Sequence, residues 1–516
     1  MDAAIVVLYL VIIFIVGLRA RPRGAVTADE YFLSSRSLRW PSVAVSTIAT
    51  NIHAGHFMGM AGGAYLFGLA QANQEINALV GIFMAAFFFV PLYLRRRVTT
   101  ISQFFESKFG PRVALVYSIL MMLLYGFMYL GSALFWAAWA ADGAFSDSLS
   151  FLSADRTTRI VILIVALGLF SALYTALGGM LAVVRTDLVQ FALLISGGLI
   201  LVWVAVEAVG GWSQLWSDGR ERMHLHLPSD HATIPWTALL GMNLLNLNYW
   251  GANQIILQRA LAAQDLRQAQ LGLLVGGILK YVVAATVIVP GIALATLHGE
   301  NALADPDRAY IVLLNELLPA GLRGLLLCWL FASLMSTVDS ILNSISTLWS
   351  VDIYRRHLRP DAPDARVVAM AKRSIGVALL TGITFACFQL YVKTESPGFP
   401  LTHWFNELSY YAKNGFVLLI AVAVFLVNPS RRLVFFTLLA SVALTFLVRL
   451  AFPETNYYVR TSWVILSTFA VVAVPTWIRS GWRLPPGRLF QAASPGVARF
   501  GLALLGSLLV CHVVFH

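Results

Sequence analysis

Of 516 residues, 59% are hydrophobic and only 12% charged, with a mean hydropathy of +0.76, which is more apolar surface than a water-soluble domain could cover. The fitting solvent is lipid; at roughly 20 apolar residues per spanning helix the chain holds a dozen or more spans and leaves no room for a soluble enzyme domain. The formal net charge of +11 does not signal nucleic acid, because the basic residues are not gathered on one face or tail, and Cys328, Cys387 and Cys511 lie in apolar stretches without disulfide or zinc spacing.

The first apolar run, 3–19, has its basic residues after it, the reverse of a signal peptide, and is expected to be a retained span. Further runs fall at 39–64, 76–95, 112–141, 158–178, 183–208, 235–258, 271–297, 321–350, 368–392, 401–428, 432–452, 460–480 and 497–515. The expectation is therefore an all-α polytopic membrane protein of about 14 transmembrane helices in a single domain. If the N-terminus lies outside, the alternate connections hold most of the arginines, among them Arg19, Arg36, Arg95, Arg96, Arg97, Arg259, Arg267, Arg355, Arg356, Arg431 and Arg479. Both termini are then expected to be extracellular or periplasmic, and the net charge reads as a topology signal attracted to anionic headgroups of the bilayer.

Two of these runs are interrupted alike. The second contains Asn51-Ile-His53-Ala-Gly-His56, and the seventh contains Asn246-Leu-Asn-Tyr249-Trp250-Gly-Ala-Asn253, polar and Gly-bearing stretches at membrane depth five spans apart. Unwound backbone is tolerated there only where it lines a site, and matching interruptions mark two inverted halves of a transporter. The ninth run places Ser333, Ser336, Thr337, Ser340, Ser344 and Thr347 within an arc of roughly 100°. A stripe of neutral hydroxyl and carbonyl oxygens suits a hard monovalent cation that must be bound and released, whereas a carboxylate-rich cage would suit calcium.

The segments Ser333-Leu-Met-Ser-Thr, Leu342-Asn-Ser and Asp352-Ile-Tyr354 resemble the sodium/solute symporter family, with Tyr31-Phe-Leu, Gly55-His56-Phe57, Glu75, Asn77-Ala-Leu79 and Gln258-Arg259 closest to its sodium/glucose and sodium/galactose cotransporter branch. The resemblance runs from about residue 3 to about 430. It implies a leucine-transporter-type fold with inverted five-helix repeats at 39–208 and 235–428, and peripheral helices at 3–19 and 432–515. It also implies sodium ligands from the backbone carbonyls of Ala49, Ile52 and Ser333 and the hydroxyls of Ser336 and Thr337. For the solute it implies Asn51, His56, Glu75, Asn246, Tyr249, Trp250 and Lys280, with Tyr249 as an inner gate and Met60 and Trp404 as an outer one.

These groups suit a polyhydroxylated ligand, since each sugar hydroxyl both donates and accepts and an aromatic ring covers its apolar side. Lys280 lies too deep to snorkel, so a partner or ligand in the membrane is expected. Glu75 lies near a boundary, where a solvated carboxylate is common. The pattern departs from the branch at Glu407, where a sugar-contacting glutamine is expected; at His53, where the branch has a small residue; and at Asp339, which together with Asp187 could form a second cation or proton site.

The expected function is sodium-coupled sugar symport by alternating access, with no cofactor beyond the co-transported Na+. The alternatives are symport of a polyol such as inositol, an amino acid or a carboxylate, and, from another class, a sensor or channel on the same scaffold. No H-E-x-x-H or similar spacing among the histidines suggests an enzyme.

Overall fold

The computed structural model describes residues 2–20, 26–52, 54–299, 303, 306–319, 321–396, 401–481, 483 and 489–516. Helices account for the regular structure, and among the described residues the β-type pairings are the isolated bridges Leu38 with Ala263 and Leu227 with Pro235. Ten helices among the described residues are long and apolar enough to cross a membrane. This is the outcome that backbone physics demands in lipid, where every N–H and C=O must be satisfied within the segment.

The apolar runs and the helices differ where the chain bends or breaks. The runs 158–178 and 183–208 belong to one helical stretch, Arg156–Val209, folded back at Gly179 (φ 57°, ψ −148°). Only glycine fits there: the φ is left-handed, and a Cβ would lie 2.5 Å from the Tyr31 carbonyl oxygen. The run 39–64 is two half-helices, Trp40–Asn51 and Ala54–Phe67, separated by Ile52 in extended conformation (φ −97°, ψ 118°). The run 235–258 is likewise two pieces, Leu239–Gly251 and Gln254–Leu261, separated by Ala252 and Asn253. Both interruptions expected from the sequence are thus present as breaks.

Burial sorts the helices into centre and rim. The most apolar window of Cys328–Leu358 is 100% buried, against 22% for Arg431–Ala451 and for Pro495–Val514. The hydroxyl-bearing helix Leu322–Thr347 therefore forms the axis of the bundle, packed on Arg156–Val209, Asp2–Arg19, Trp40–Asn51 and Asp364–Glu395, and continues as a π-helical segment Leu348–Leu358. The last helices instead present Phe436, Leu447, Leu450, Leu509 and Val513 outward, as a lipid-facing rim does.

Two charged residues lie elsewhere than their sequence context suggests. Arg259 is fully buried inside Gln254–Leu261 and is not part of a solvated connection. Glu75 is also buried, 3% exposed, because the short helix Asn73–Ile76 carries it inward beneath Leu266–His298.

Candidate functional site

The first break frees carbonyls at the end of Trp40–Asn51, and a helix end at membrane depth must find other partners for them. The hydroxyl helix supplies these partners. Ser333 Oγ donates to the Ile52 carbonyl at 3.0 Å, and Thr337 Oγ1 lies 3.4 Å from the carbonyls of Thr50 and Ile52 and 3.1 Å from that of Ser333. Three oxygens of the expected sodium set, the Ile52 and Ser333 carbonyls and the Thr337 hydroxyl, are thus gathered around the break together with the Ser333 hydroxyl. All are neutral.

Ser336, one residue round the helix from Thr337, points elsewhere: its hydroxyl donates to Asp187 Oδ1 at 2.5 Å. Its lone pairs stay available to a cation while its proton is held by the carboxylate. Ala49 is buried beside the break and makes no cross-helix hydrogen bond among the described residues. His53 lies outside the described residues, as does the side chain of His56.

The second break is closed differently. Three tyrosines, Tyr93 from one helix and Tyr117 and Tyr125 from the continuous helix Pro111–Gly143, donate to it: Tyr93 OH to the Gly251 carbonyl, Tyr117 OH to the Ala252 carbonyl at 2.5 Å, and Tyr125 OH to Asn253 Oδ1 at 2.6 Å. Asn253 in turn caps Gln254–Leu261 by accepting from Ile255 N at 3.1 Å. The break fits closely against 73–95 because Gly81 has no side chain; a Cβ there would lie 2.6 Å from both the Asn246 carbonyl and the Trp250 ring.

Arg259 ties the two broken helices together. Its Nε donates to Ser46 Oγ at 3.0 Å, and one terminal nitrogen donates to Thr50 Oγ1 at 2.7 Å, to Ser340 Oγ and to Asp187 Oδ2 at 3.4 Å. Asp187 also accepts from Ser46 Oγ. Both members of the Arg259–Asp187 pair are completely buried. Asp339, on the same helix as Ser340, accepts from Tyr174 OH at 2.8 Å and Ser340 Oγ at 3.3 Å, so the two acids Asp187 and Asp339 flank one hydroxyl stripe.

On the other side of the first broken helix, Lys280 Nζ donates to both Glu75 Oε2 and Asn51 Oδ1, and Asn51 Nδ2 donates to Tyr249 OH at 2.6 Å. Four residues expected at the solute site are therefore brought into one hydrogen-bonded chain spanning four segments. A buried lysine needs this pairing, since an isolated ammonium in lipid would cost several kcal/mol. The Trp250 indole N–H is buried without a hydrogen-bond partner, and the half-buried Asn246 side chain makes no hydrogen bond among the described residues. Both are polar groups that a solute could satisfy.

Glu407 is engaged outside this chain of hydrogen bonds. Its carboxylate lies 2.7 Å from Arg460 and 3.3 Å from Arg449, and bonds neither Lys280 nor Asn51. The reason is helical phase: Glu407, Tyr411, Asn414 and Gly415 share the face of Leu401–Phe425 turned to Arg431–Ala451, where Asn414 Nδ2 meets Thr445 Oγ1 at 3.0 Å. The two outer-gate residues differ in setting. Met60 is 5% exposed within the core, whereas Trp404 is 37% exposed with its ring 4.9 Å from Phe405.

Sequence reasoning also missed Arg259, read as a connection residue, and the three tyrosines of the second break. It missed Lys413, a lysine in the middle of Leu401–Phe425. A basic residue with no acid one turn away in an apolar run was the available signal.

The profile of the Sodium:solute symporter family matches residues 31–428. The sodium/glucose cotransporter of Vibrio parahaemolyticus is 30% identical over 439 residues, covering 77% of this chain and 78% of the relative. Sodium/glucose cotransporter 1 of Oryctolagus cuniculus is 32% identical over 438 residues, and the alignment spans 77% of this chain but 64% of that relative. Sodium/myo-inositol cotransporter 2 of the same species is 28% identical, with 86% of this chain and 69% of the relative covered. Among solved structures, a Na+-coupled sialic acid symporter in a substrate-bound outward-open state superposes with a TM-score of 0.77 at 19% identity, over 92% of this chain and 98% of that one. A nucleobase-cation-symport-1 family transporter in a closed conformation gives 0.57 at 16% identity, over 91% and 97%. At these identities the structural likeness shows the fold alone, a leucine-transporter-type bundle.

Proposed function

The chain belongs to the sodium:solute symporter family, a family of multi-pass membrane transporters, and from that premise we propose that it couples sodium entry to uptake of a small polar solute of the sugar or polyol class. The observation that carries this reading is the first break, where neutral oxygens of Ile52, Ser333 and Thr337 converge from two helices with no carboxylate among them. Such a set binds a monovalent cation weakly enough to release it and leaves its charge uncompensated. Inward movement of that charge with a neutral solute gains about 2.3 kcal/mol per 100 mV, so transport of a neutral solute is electrogenic. Ala49 and Ser336 complete the proposed sodium site, and Asp187 with Asp339 is the proposed second cation position one turn away on the hydroxyl stripe.

The solute site is the Lys280, Glu75, Asn51 and Tyr249 chain, together with Trp250 and Asn246. Because Lys280 bonds Glu75 and Asn51 directly, a solute enters by exchanging those contacts for its own hydroxyls. Tyr249, hydrogen-bonded to Asn51, serves as the gate: displacing its ring opens the path, and stacking it on the solute closes the path. The halves 39–208 and 235–428 act as the inverted repeats that rock about this point, with both termini on the outer side. No reaction chemistry is assigned to any residue.

Uptake into liposomes of the purified protein, driven by sodium or by choline, is the test. Sodium-dependent accumulation of glucose, galactose or inositol is expected; equal uptake in choline would overturn the reading. Tyr249→Ala is expected to weaken binding and slow coupled uptake together, while Tyr249→Phe keeps most of both.

A further inference from the structure

The charges buried in the core do not cancel locally. Lys280 is answered by Glu75, and Arg259 by Asp187, with Asp339 a second acid on the same stripe. The hydroxyl helix therefore holds one acid that no cation answers among the described residues, on the side where sodium is proposed to bind. Among the described residues the mid-span cation without an acid partner is Lys413; Lys393, also buried, lies in the last turn of Asp364–Glu395.

Lys413 occupies the middle of the 25-residue helix Leu401–Phe425 and is half-buried. Roughly 18 Å of helix lies on either side of it, three times the reach of a lysine stem, so its ammonium cannot snorkel to an interface. Among the described residues it forms no ion pair and no hydrogen bond. What surrounds it is aromatic: Nζ lies 5.4 Å from the centre of the Tyr129 ring and 5.0 Å from that of Tyr410. Cation–π contact orients an ammonium but supplies on the order of 1–2 kcal/mol, short of what a charge at membrane depth costs.

Its position bears on the solute site. Tyr129 lies 5.8 Å, ring to ring, from Tyr125, which closes the second break by donating to Asn253 Oδ1, four residues along the chain from Tyr249. A path of tyrosines thus leads from the second break, which follows Tyr249 and Trp250, through Tyr125 and Tyr129 to Lys413. At one end polar groups match hydroxyls; at the other stands an unanswered positive charge.

We propose that Lys413 binds a carboxylate on the transported solute, which makes an acidic sugar or polyol preferred over its neutral counterpart; this rests on the symport reading above. Sodium and the acidic solute then neutralise the two opposite excesses of charge in one occupied state. The negative group comes to lie against the ammonium between two tyrosine rings, and the hydroxyl-bearing body lies toward Tyr249 and Lys280. A charge-assisted hydrogen bond of this kind discriminates strongly against a neutral analogue, because the neutral ligand leaves the ammonium unpaired.

The test uses matched pairs that differ only at C6, glucose against glucuronate and galactose against galacturonate, binding to the purified full chain in sodium. In wild type the acid of at least one pair is expected to bind tenfold or more tightly than its neutral partner, with the order of magnitude set by a hydrogen bond to a charged group. Lys413→Gln is expected to abolish that preference while changing neutral-sugar binding less than about twofold, and Lys413→Arg to keep it. Equal or weaker binding of the acid in both pairs would overturn the proposal, as would an unchanged preference in folded Lys413→Gln protein; a purely structural lysine would lower acid and neutral binding alike. Repeating the wild-type measurement in choline separates this from the parent reading: acid preference without sodium dependence defeats symport and leaves Lys413 standing, whereas sodium-dependent binding without acid preference does the reverse.

Discussion

The two broken helices look alike in sequence and are held in opposite ways. At Ile52 the freed carbonyls are met by serine and threonine hydroxyls at 3.0–3.4 Å, from the single buried helix Leu322–Thr347. At the second break tyrosine hydroxyls from outside the broken helix meet the Ala252 carbonyl at 2.5 Å and the Asn253 side-chain amide oxygen at 2.6 Å. Long contacts from small side chains can be exchanged for an ion with little rearrangement. Short contacts from rigid phenols anchored in packed helices cannot. On the proposed reading the first break is the sodium site and the second a fixed pivot, a division of labour that accounts for one hydroxyl stripe serving only one of them.

Arg259 joins these two regions, so its loss carries the largest effect. Arg259→Met leaves Asp187 buried and unpaired and is expected to destabilise the protein by about 3–5 kcal/mol, seen as a lower thermal midpoint in detergent or loss of folded protein. Adding Asp187→Asn removes the orphaned charge, and the double variant is expected to recover much of that loss; a double variant no better than the single would mean the pair does not act as a unit.

At the pivot, Tyr117→Phe deletes the donor to the Ala252 carbonyl and is expected to cost about 1–3 kcal/mol of stability while leaving the sodium dependence of uptake as in wild type. A rise in half-saturating sodium there would erase the distinction between the breaks. At the ion site, Ser333→Ala removes one long hydrogen bond to Ile52 while keeping the Ser333 carbonyl, and stability should fall by only about 0.5–1.5 kcal/mol. Calorimetry or a thermal unfolding series ranks the three, and the account requires the order Arg259, Tyr117, Ser333.

Much of the scaffold was legible because lipid leaves so few options. Apolar runs of spanning length became helices, and the Asn- and Gly-bearing interruptions became breaks, since polar residues at that depth have no other stable use. The cluster of Lys280, Glu75, Asn51 and Tyr249 was likewise reachable through the resemblance. What was hidden is phase between helices. Periodicity says that Glu407 shares a face with Tyr411 and Asn414 but not which neighbour that face meets, and it meets Arg449 and Arg460. For the same reason nothing in the local patterns around Tyr93, Tyr117 and Tyr125 joins them at one break 128 or more residues further along the chain. Arg259 was hidden by its place just beyond an apolar run, where arginines are ordinarily solvated. Lys413 was legible in principle, as a cation in mid-span is itself a sign of function.

The most direct test of the division between site and pivot is the sodium concentration that gives half-maximal thermal stabilisation over choline, measured for wild type, Thr337→Ala and Tyr117→Phe. Thr337→Ala is expected to need about tenfold more sodium, the loss of one hydroxyl ligand, and Tyr117→Phe to melt earlier yet titrate at the wild-type concentration. Wild-type sodium dependence in Thr337→Ala would contradict the assignment of the first break as the sodium site.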